Sequence, residues 1–416
     1  MKRESMRKFR ISFIILIAIS GGKLFTEWSF EEDDGNRNAS ARSLQSNFLI
    51  TDHLEAHKVW DEGYHGEGVN VAVFDTGIDE HHPHFNHIDE RTNWTNEDQL
   101  KDGIGHGSFV AGSIASKYEK CPGFAPNANI NTFRVFTNNQ MSYTSWFLDS
   151  FNYAIYRKMN ILNLSIGGPD WLDIPFVEKV HFIGNMQLSI SPVTALLEQV
   201  REMQANNVIM ITACGNDGKY GTINNPADQL SVIGVGGITQ DDLHIAGFQS
   251  RGMTTWELPR GYGRIKPDIV TVGQSLYGSS IDGGCRTLSG TSVASPVVTG
   301  VAALLTSVVP AETRWDIMNP ASLKQVLVET ADPIDGLRMY EQGMGKINVP
   351  AAYQYIKRYT PHISAVPAEI HLTECPHAWY VALHYASALV LIVQFNVYLK
   401  GHFAVNLCIG RRSRTF

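Results

Sequence analysis

Short apolar runs separated by longer, mixed segments dominate the middle of this 416-residue chain. Five runs have the length of strands and too few polar residues for an exposed face: 69–74, 130–136, 161–166, 208–213 and 230–235. Between the second and third runs, residues 142–159 carry large apolar side chains on one helical face. Doubly buried strands that alternate with helices predict a three-layer α/β fold, with a mainly parallel central sheet and helices on both faces.

A run of small residues after a glycine-flanked turn is the second feature of the pattern. Residues 290–296 read Gly-Thr-Ser-Val-Ala-Ser-Pro and lead into the apolar run 297–309, which predicts a buried helix. Ser292 in its first turn would have an N–H among the unpaired donors of the helix N-terminus, which favour a nearby negative charge. That position suits a nucleophile whose reaction passes through an oxyanion. A Ser/Thr helix cap is the alternative interpretation.

Three polar residues at other element boundaries supply the partners that such a nucleophile needs. Asp75 ends the first strand, His106 opens a helix of small residues, and Asn216 follows the strand at 208–213. A serine hydroxyl is a weak nucleophile until an imidazole takes its proton, and the imidazole needs a carboxylate to orient it. A side-chain amide can donate to the oxyanion. We therefore predict a catalytic set of Asp75, His106, Ser292 and Asn216.

Two other enzyme classes share parts of these motifs. Asp-Thr-Gly at 75–77 marks aspartic proteases, but those enzymes need a second such motif, and no other triplet in the sequence fits it. Gly-Thr-Ser-Val-Ala at 290–294 approaches the Gly-x-Ser-x-Gly turn of α/β-hydrolases, whose catalytic residues follow the order Ser, acid, His. The order here is Asp, His, Ser. His106 alone would be compatible with a structural role, so the prediction depends on all four residues together.

Composition and the termini narrow the class of protein. Hydrophobic residues at 44% and charged residues at 18% are typical of a globular chain, and a net charge of −7 gives no indication of a nucleic-acid partner. Residues 1–25 predict a signal peptide or N-terminal anchor, with a buried helix as the alternative, and residues 26–50 predict a flexible polar segment. The tail at 361–416 is apolar after 380, and 380–399 is compatible with a membrane span, a packed hydrophobic tail or an aberrant terminus.

Cysteines and glycosylation sequons give weaker constraints. The five cysteines, at positions 121, 214, 285, 375 and 408, are an odd number, so at least one is unpaired or pairs between chains, and the sequence leaves the connectivity open. Sequons begin at Asn38, Asn93 and Asn163. Because Asn163 lies inside an apolar run, we predict that it is buried and unmodified.

Long stretches of the chain resemble the subtilisin-like serine proteases, or subtilases, which use the order Asp, His, Ser. The matching segments include GHGSFVAGSIAS (105–116), LNLSIGGPD (162–170), NNVIMITACGNDG (206–218) and GGCRTLSGTSVASPVV (283–298). The resemblance implies a subtilisin-like peptidase domain at 51–360. It further implies a serine endopeptidase of the secretory pathway, in the endoplasmic reticulum or Golgi lumen, that processes membrane-bound precursor proteins. Membrane association through an apolar terminal segment is an open expectation.

The resemblance also implies where a substrate would bind. In the family, the substrate lies as an added strand, a binding mode that tolerates many side chains. The corresponding positions here are Ser165, Ile166, Gly167, Gly168, Ala213, Cys214 and Gly215. One branch of the family prefers Arg four residues before the cut and an apolar residue two before it, an R-x-(apolar)-x motif. Asp170 and Asp173 are candidates to meet that Arg, with a solvated loop as the alternative.

Metal binding receives little support from the sequence. Four histidines lie close together at positions 81, 82, 84 and 87, but without a recognisable carboxylate partner they favour a polar loop over a metal site. Calcium is a candidate cofactor because many subtilases bind it. The sequence contains no EF-hand-type loop, so we assign no ligands.

Some segments depart from the family pattern. Residues 181–200 are unlike the corresponding part of the family, and we predict an insertion that stays outside the core. The segment before residue 52 is short for a folded propeptide. These departures favour a shortened or alternatively spliced form. They leave one rival function, a catalytically silent binding or decoy protein that keeps the substrate groove and does not mature.

Overall fold

The fold is built around a seven-stranded sheet in which all neighbouring strands run parallel. The computed structural model describes residues 27–29, 48–165, 168–169, 192–253, 265–360, 362–366 and 382–385. Its strands are β1 (Glu27–Ser29), β2 (Asn70–Asp75), β3 (Glu90–Asn93), β4 (Asn129–Arg134), β5 (Met141–Tyr143), β6 (Ile161–Leu164), β7 (Gly168–Pro169), β8 (Ile209–Ala213), β9 (Asn224–Asn225), β10 (Ile233–Ile238), β11 (Gly252–Met253), β12 (Ile265–Lys266), β13 (Ile269–Val272), β14 (Leu276–Ser279), β15 (Cys285–Leu288), β16 (Ile363–Val366) and β17 (Ala382–Tyr385). Its helices are α1 (Ile50–His53), α2 (His57–Trp60), α3 (His106–Ala115), α4 (Thr144–Tyr156), α5 (Pro192–Ala205), α6 (Thr291–Val308), α7 (Arg314–Ile317), α8 (Pro320–Glu329), α9 (Met339–Gln342) and α10 (Val349–Ile356).

The order of strands across the sheet is β13–β10–β8–β6–β2–β4–β3. The five predicted strands correspond to β2, β4, β6, β8 and β10, so the predicted parallel α/β architecture is confirmed. The two edge strands, β3 and β13, were not predicted. Strand β3 has the sequence Glu-Arg-Thr-Asn and is only partly buried, so no apolar run marks it.

Each face of the sheet packs against its own helices, because successive side chains of a strand point to opposite faces. In β2, Val71 and Val73 belong to the larger apolar core, which also contains the buried side chains of α3 and α6. Ala72 and Phe74 belong to a second core, shared with α4 and α5. The alternation places helices on both faces, as the predicted three layers require.

Helix α6 runs through the larger core, and each of its 18 residues is buried. Small side chains allow this close packing, and a Cβ at Gly300 would lie only 3.0 Å from Phe124 Cβ and 3.2 Å from Ile114 Cα. In the described part of the chain, α6 is the one helix with the length and apolar composition of a membrane span, with a mean hydropathy of 1.5. Its burial inside the fold accounts for that composition.

The structure describes only parts of the remaining segments for which we made predictions. The expectation that residues 181–200 stay outside the core is wrong at their carboxyl end, because α5 begins at Pro192 and Val200 is buried in the second core. Within the predicted polar segment at 26–50, β1 pairs antiparallel with β5. Within the apolar tail, β17 pairs antiparallel with β16. Residues 1–25, 170–191 and 386–416 lie outside the described residues.

Candidate active site

Asp75 and Asn216 lie where two strands of the sheet end. Asp75 is the last residue of β2, and Asn216 follows the end of β8 by three residues; one strand, β6, lies between β2 and β8. Active residues of parallel α/β sheets gather at this carboxyl edge. Asp75 is buried, whereas Asn216 is exposed. The fold therefore brings a buried carboxylate and an accessible amide to the same edge of the sheet.

His106 is the first residue of α3, and its ring contacts Asp75. Its Nδ1 lies 2.7 Å from Asp75 Oδ1, which also accepts a 2.8 Å hydrogen bond from the Thr76 N–H. An ionised carboxylate can only accept, so His106 Nδ1 carries the proton, and Nε2 is the basic nitrogen of the neutral ring. The helix starts here because Gly105 has a φ of 95°, a left-handed conformation that suits glycine.

Ser292 lies in the first turn of α6 beside a glycine with an unusual backbone. Gly290 has φ 154° and ψ 159°, a region that essentially only glycine adopts. A Cβ at this position would lie 2.8 Å from Ser292 Oγ, 3.6 Å from Ser292 N and 3.5 Å from Asn216 Nδ2. A hydroxyl and two N–H donors thus border one small space. A carbonyl oxygen in that space could gain negative charge next to both donors.

The first turn of α6 also fixes the orientation of the Asn216 amide. Asn216 Oδ1 accepts hydrogen bonds from the N–H and the Oγ–H of Thr291, both 2.9 Å long. Thr291 Oγ in turn accepts a 3.2 Å hydrogen bond from the N–H of Gly215. Because Oδ1 is held by two donors, Nδ2 points the other way, toward the space beside Gly290.

Four of the residues proposed to line the substrate, Ser165, Ala213, Cys214 and Gly215, are buried. Ser165 is buried, and its Oγ accepts a 2.7 Å hydrogen bond from Asn163 Nδ2. The N–H of Cys214 donates to Val235 O at 3.0 Å, and that of Gly215 donates to Thr291 Oγ. These two N–H groups are therefore already paired within the fold and are not available to donate to a substrate.

The remaining predicted substrate positions belong to a small ladder or fall outside the described residues. Gly168 pairs with Asn225 between β7 and β9. Ile166, Gly167, Asp170 and Asp173 lie outside the part of the chain that the structure describes. The contact of Asp170 or Asp173 with an arginine of the substrate therefore stays a prediction.

Two histidines of the cluster, His82 and His84, are bonded to the β14–β15 hairpin. His82 Nε2 lies 2.8 Å from Ser280 O, and His84 places Nδ1 2.7 Å from Ser279 Oγ and Nε2 2.9 Å from Gly283 O. Burial lowers the pKa of His84, so this ring favours its neutral form. Among the described residues, no group of three or more His, Cys, Asp or Glu side chains could hold a metal ion. His82 and His84 offer ring nitrogens, whereas calcium takes oxygen ligands, so this cluster does not fit calcium and we derive no step through calcium.

The same hairpin is tied to the rest of the fold by a disulfide. Cys121, which follows α3, is bonded to Cys285 at the start of β15, 164 residues away. The strand β15 leads directly to Gly290 and Ser292, so the bond holds the approach to α6 close to α3. Cys214 is a buried free thiol, and burial raises its pKa, which keeps it protonated and unreactive. Cys375 and Cys408 lie outside the described residues.

Asp102 is a residue of the site that we did not predict from the sequence. It is buried, lies four residues before His106, and accepts hydrogen bonds from the N–H groups of Gly105 and Ser108, each 2.8 Å long. The sequence does carry one signal for this role, an Asp shortly before a helix whose cap residue is glycine. The spacing differs from that of an ordinary N-cap, so the pattern alone did not reveal it.

Known proteins with similar sequences match most of this chain. The profile of the Subtilase family matches residues 66–348. The chain is 51% identical over 389 residues to the subtilisin-like protease SBT6.1 of Arabidopsis thaliana, covering 90% of this chain and 36% of that protein. It is 57% identical over 345 residues to the membrane-bound transcription factor site-1 protease of Homo sapiens, covering 82% and 30%. The chain thus spans about a third of the length of these relatives.

A solved structure has the same fold. The structure of the prenylagaramide maturation protease PagA superposes with a TM-score of 0.56 at 27% sequence identity, covering 73% of this chain and 99% of that one. About three quarters of this chain therefore aligns with nearly the whole of that one.

Proposed function

Because this chain belongs to the subtilase family of serine-type endopeptidases, we propose that Asp75, His106 and Ser292 are its catalytic triad and that Asn216 stabilises the oxyanion. The observation that carries the proposal is the 2.7 Å hydrogen bond between two buried side chains, His106 and Asp75. Such a pair orients a base and stabilises the imidazolium that forms when the base takes a proton.

The proposed reaction is hydrolysis of a peptide bond through an acyl-enzyme. Ser292 Oγ attacks the carbonyl carbon while its proton passes to His106 Nε2, and Asp75 stabilises the resulting imidazolium. The carbonyl oxygen becomes an oxyanion that accepts hydrogen bonds from Asn216 Nδ2 and Ser292 N–H. Collapse expels the amine, which takes the proton from His106. Water then attacks the ester by the same proton transfers, which releases the acid and restores Ser292.

The proposed substrates are membrane-bound precursor proteins of the secretory pathway, cut after an R-x-(apolar)-x motif. Support comes from the 57% identity to a protease that is named for a membrane-bound transcription factor. Asp170 and Asp173 are proposed to meet the arginine of the motif. A peptide bound as an added strand would gain main-chain hydrogen bonds regardless of most of its side chains.

A peptide-cleavage assay tests the proposal. The full chain is incubated with a peptide that has Arg four residues before and Leu two residues before the expected cut, and with one in which Ala replaces that Arg. Wild-type protein should cut the first peptide faster. Ser292→Ala should cut neither, and Ser289→Ala, a control at an exposed serine three residues away, should cut like the wild type.

Two outcomes would contradict parts of the proposal. Equal cleavage of both peptides would refute the arginine preference, and the assignment as a protease would stand. No cleavage of any peptide by folded wild-type protein would instead favour the silent binding or decoy protein.

A further inference from the structure

Asp102 is a buried carboxylate surrounded by neutral donors. Its side chain accepts five hydrogen bonds and only 5% of the residue is exposed. Oδ1 accepts from Thr76 Oγ at 2.8 Å, from Ile104 N at 3.0 Å and from Gly105 N at 2.8 Å. Oδ2 accepts from the N–H and the Oγ–H of Ser108, both at 2.8 Å. Burial of a carboxylate is costly unless its oxygens are satisfied, and here donors converge on both.

These bonds cap the helix that begins with His106. Gly105 occupies the cap position and has no side chain to accept from the helix. The N–H of Gly107 donates instead to Thr76 Oγ at 2.9 Å, and the N–H of Ser108 donates to Asp102. The negative charge of Asp102 also lies at the positive end of α3, where it is favoured. The first turn of α3 is thus fixed by two side chains from outside the helix.

Thr76 links this cap to the carboxylate that contacts His106. The Thr76 N–H donates to Asp75 Oδ1, the oxygen that also contacts His106 Nδ1. Because Asp102 can only accept, the Thr76 hydroxyl must donate its proton to Asp102, which leaves a lone pair for the Gly107 N–H. The hydroxyl of Thr76, the residue after Asp75, is therefore bonded to Gly107, the residue after His106. Arg134 also contacts this segment, because its Nε donates a 3.1 Å hydrogen bond to Thr76 O.

We propose that Asp102 is a positioning residue for the triad, which sets the relative placement of Asp75 and His106 through Thr76 and the first turn of α3. This proposal rests on the proposed function, since it concerns the base of that reaction. Displacement of catalytic groups by about 1 Å can cost about 10²-fold in rate. The effect should fall on kcat, because no contact of Asp102 extends to the groove in which a peptide would lie.

Two isosteric substitutions break this network at different points. In Asp102→Asn, the amide nitrogen replaces one oxygen, so an N–H₂ group must face either the Ser108 N–H or those of Ile104 and Gly105. In Thr76→Val, the shape is kept and the bridging hydroxyl is lost. Both should lower kcat by about 10²-fold with KM within about threefold of the wild type. Thr76→Ser keeps the hydroxyl and should restore kcat to within a few-fold.

The control is Ser113→Ala, on the same helix and away from the network. Ser113 Oγ donates only within α3, to Phe109 O at 3.0 Å. Loss of this bond should leave kcat and KM unchanged. Melting temperatures for all four variants identify any that do not fold. If Asp102→Asn is among them, the Thr76→Val and Thr76→Ser pair decides the question.

A measurement on the His106 ring provides a readout that does not need turnover. A proton held in a short hydrogen bond between an imidazole and a carboxylate gives a far-downfield NMR resonance. That resonance should be present in wild type, Thr76→Ser and Ser113→Ala, and shifted or broadened in Asp102→Asn and Thr76→Val. A wild-type protein that shows the resonance but cleaves no peptide would refute the proposed function. The resonance in the variants would then still decide whether Asp102 and Thr76 position His106.

The positioning role would be overturned by either of two results. The first is a folded Asp102→Asn or Thr76→Val variant with wild-type kcat and an unchanged resonance. The second is a loss confined to KM, which would place the effect in substrate binding.

Discussion

Substitution of Gly290 by alanine tests whether the space beside Ser292 is needed for the reaction. A Cβ there would lie 2.8 Å from Ser292 Oγ, about 0.6 Å short of the 3.4 Å at which ordinary van der Waals contacts begin, so one of the two atoms must shift. The same atom would lie 3.5 Å from Asn216 Nδ2, within the space where we place the oxyanion. Since about 1 Å of misplacement can cost about 10²-fold, we expect kcat/KM to fall by about 10²-fold or more.

Backbone strain adds a separate cost to stability. The φ of 154° and ψ of 159° at Gly290 are nearly closed to alanine, and such strain costs about 1–3 kcal/mol. Gly336→Ala is the matched control, because Gly336 also has a positive φ, of 82°, but a Cβ there meets nothing within 4 Å. It should lose stability and keep its activity.

The assay combines peptide-cleavage kinetics with urea unfolding for both variants. Gly290→Ala should lose activity and stability, and Gly336→Ala stability alone. If folded Gly290→Ala kept kcat/KM within threefold of the wild type, the space beside Ser292 would not be the oxyanion site.

Three further predictions address other parts of the structure. Asn216→Leu keeps similar bulk and removes the Nδ2 donor, so kcat should fall by about 10²–10³-fold with little change in KM; a large change in KM alone would make Asn216 a substrate-positioning residue. Burial lowers the pKa of Lys324 from 10.5 to about 7, so between these values the unfolded chain binds a proton that the folded protein lacks. The free energy of unfolding should therefore rise from pH 7 to pH 9 and rise less in Lys324→Met, and equal slopes in urea unfolding would contradict this. Asn163 is fully buried and bonded to Ser165 and Thr299, so mass spectrometry of protein expressed in a glycosylating host should find it without a glycan, and a glycan on folded protein would refute the strand packing at this residue.

The sequence predicted the strands of the sheet interior well because burial on both faces leaves a strong signal. Strands β6 and β8 are mainly apolar and buried throughout, and in β2 the apolar run Val71–Phe74 is buried between a partly buried Asn70 and the buried Asp75. The one polar interruption of β6, Asn163, is buried as predicted. The same reasoning marked Asp75 and Asn216, because each follows such a run.

Features that depend on contacts between distant segments could not be predicted in this way. The partners Cys121 and Cys285 are 164 residues apart, and no local pattern pairs them. Strand β3 is a polar edge strand that gains its conformation from its neighbour β4. The role of Asp102 depends on Thr76, 26 residues earlier, whose hydroxyl reaches it only after β2 and α3 are packed.

The location of a fluorophosphonate adduct tests the central claim most directly. This probe reacts with a serine whose hydroxyl is activated by a neighbouring base, so the full wild-type chain should be modified once, on the peptide that contains Ser292. His106→Ala should lose the modification and keep its melting temperature to within a few degrees. An adduct on another serine, or equal modification of Ser292 in His106→Ala, would contradict the triad.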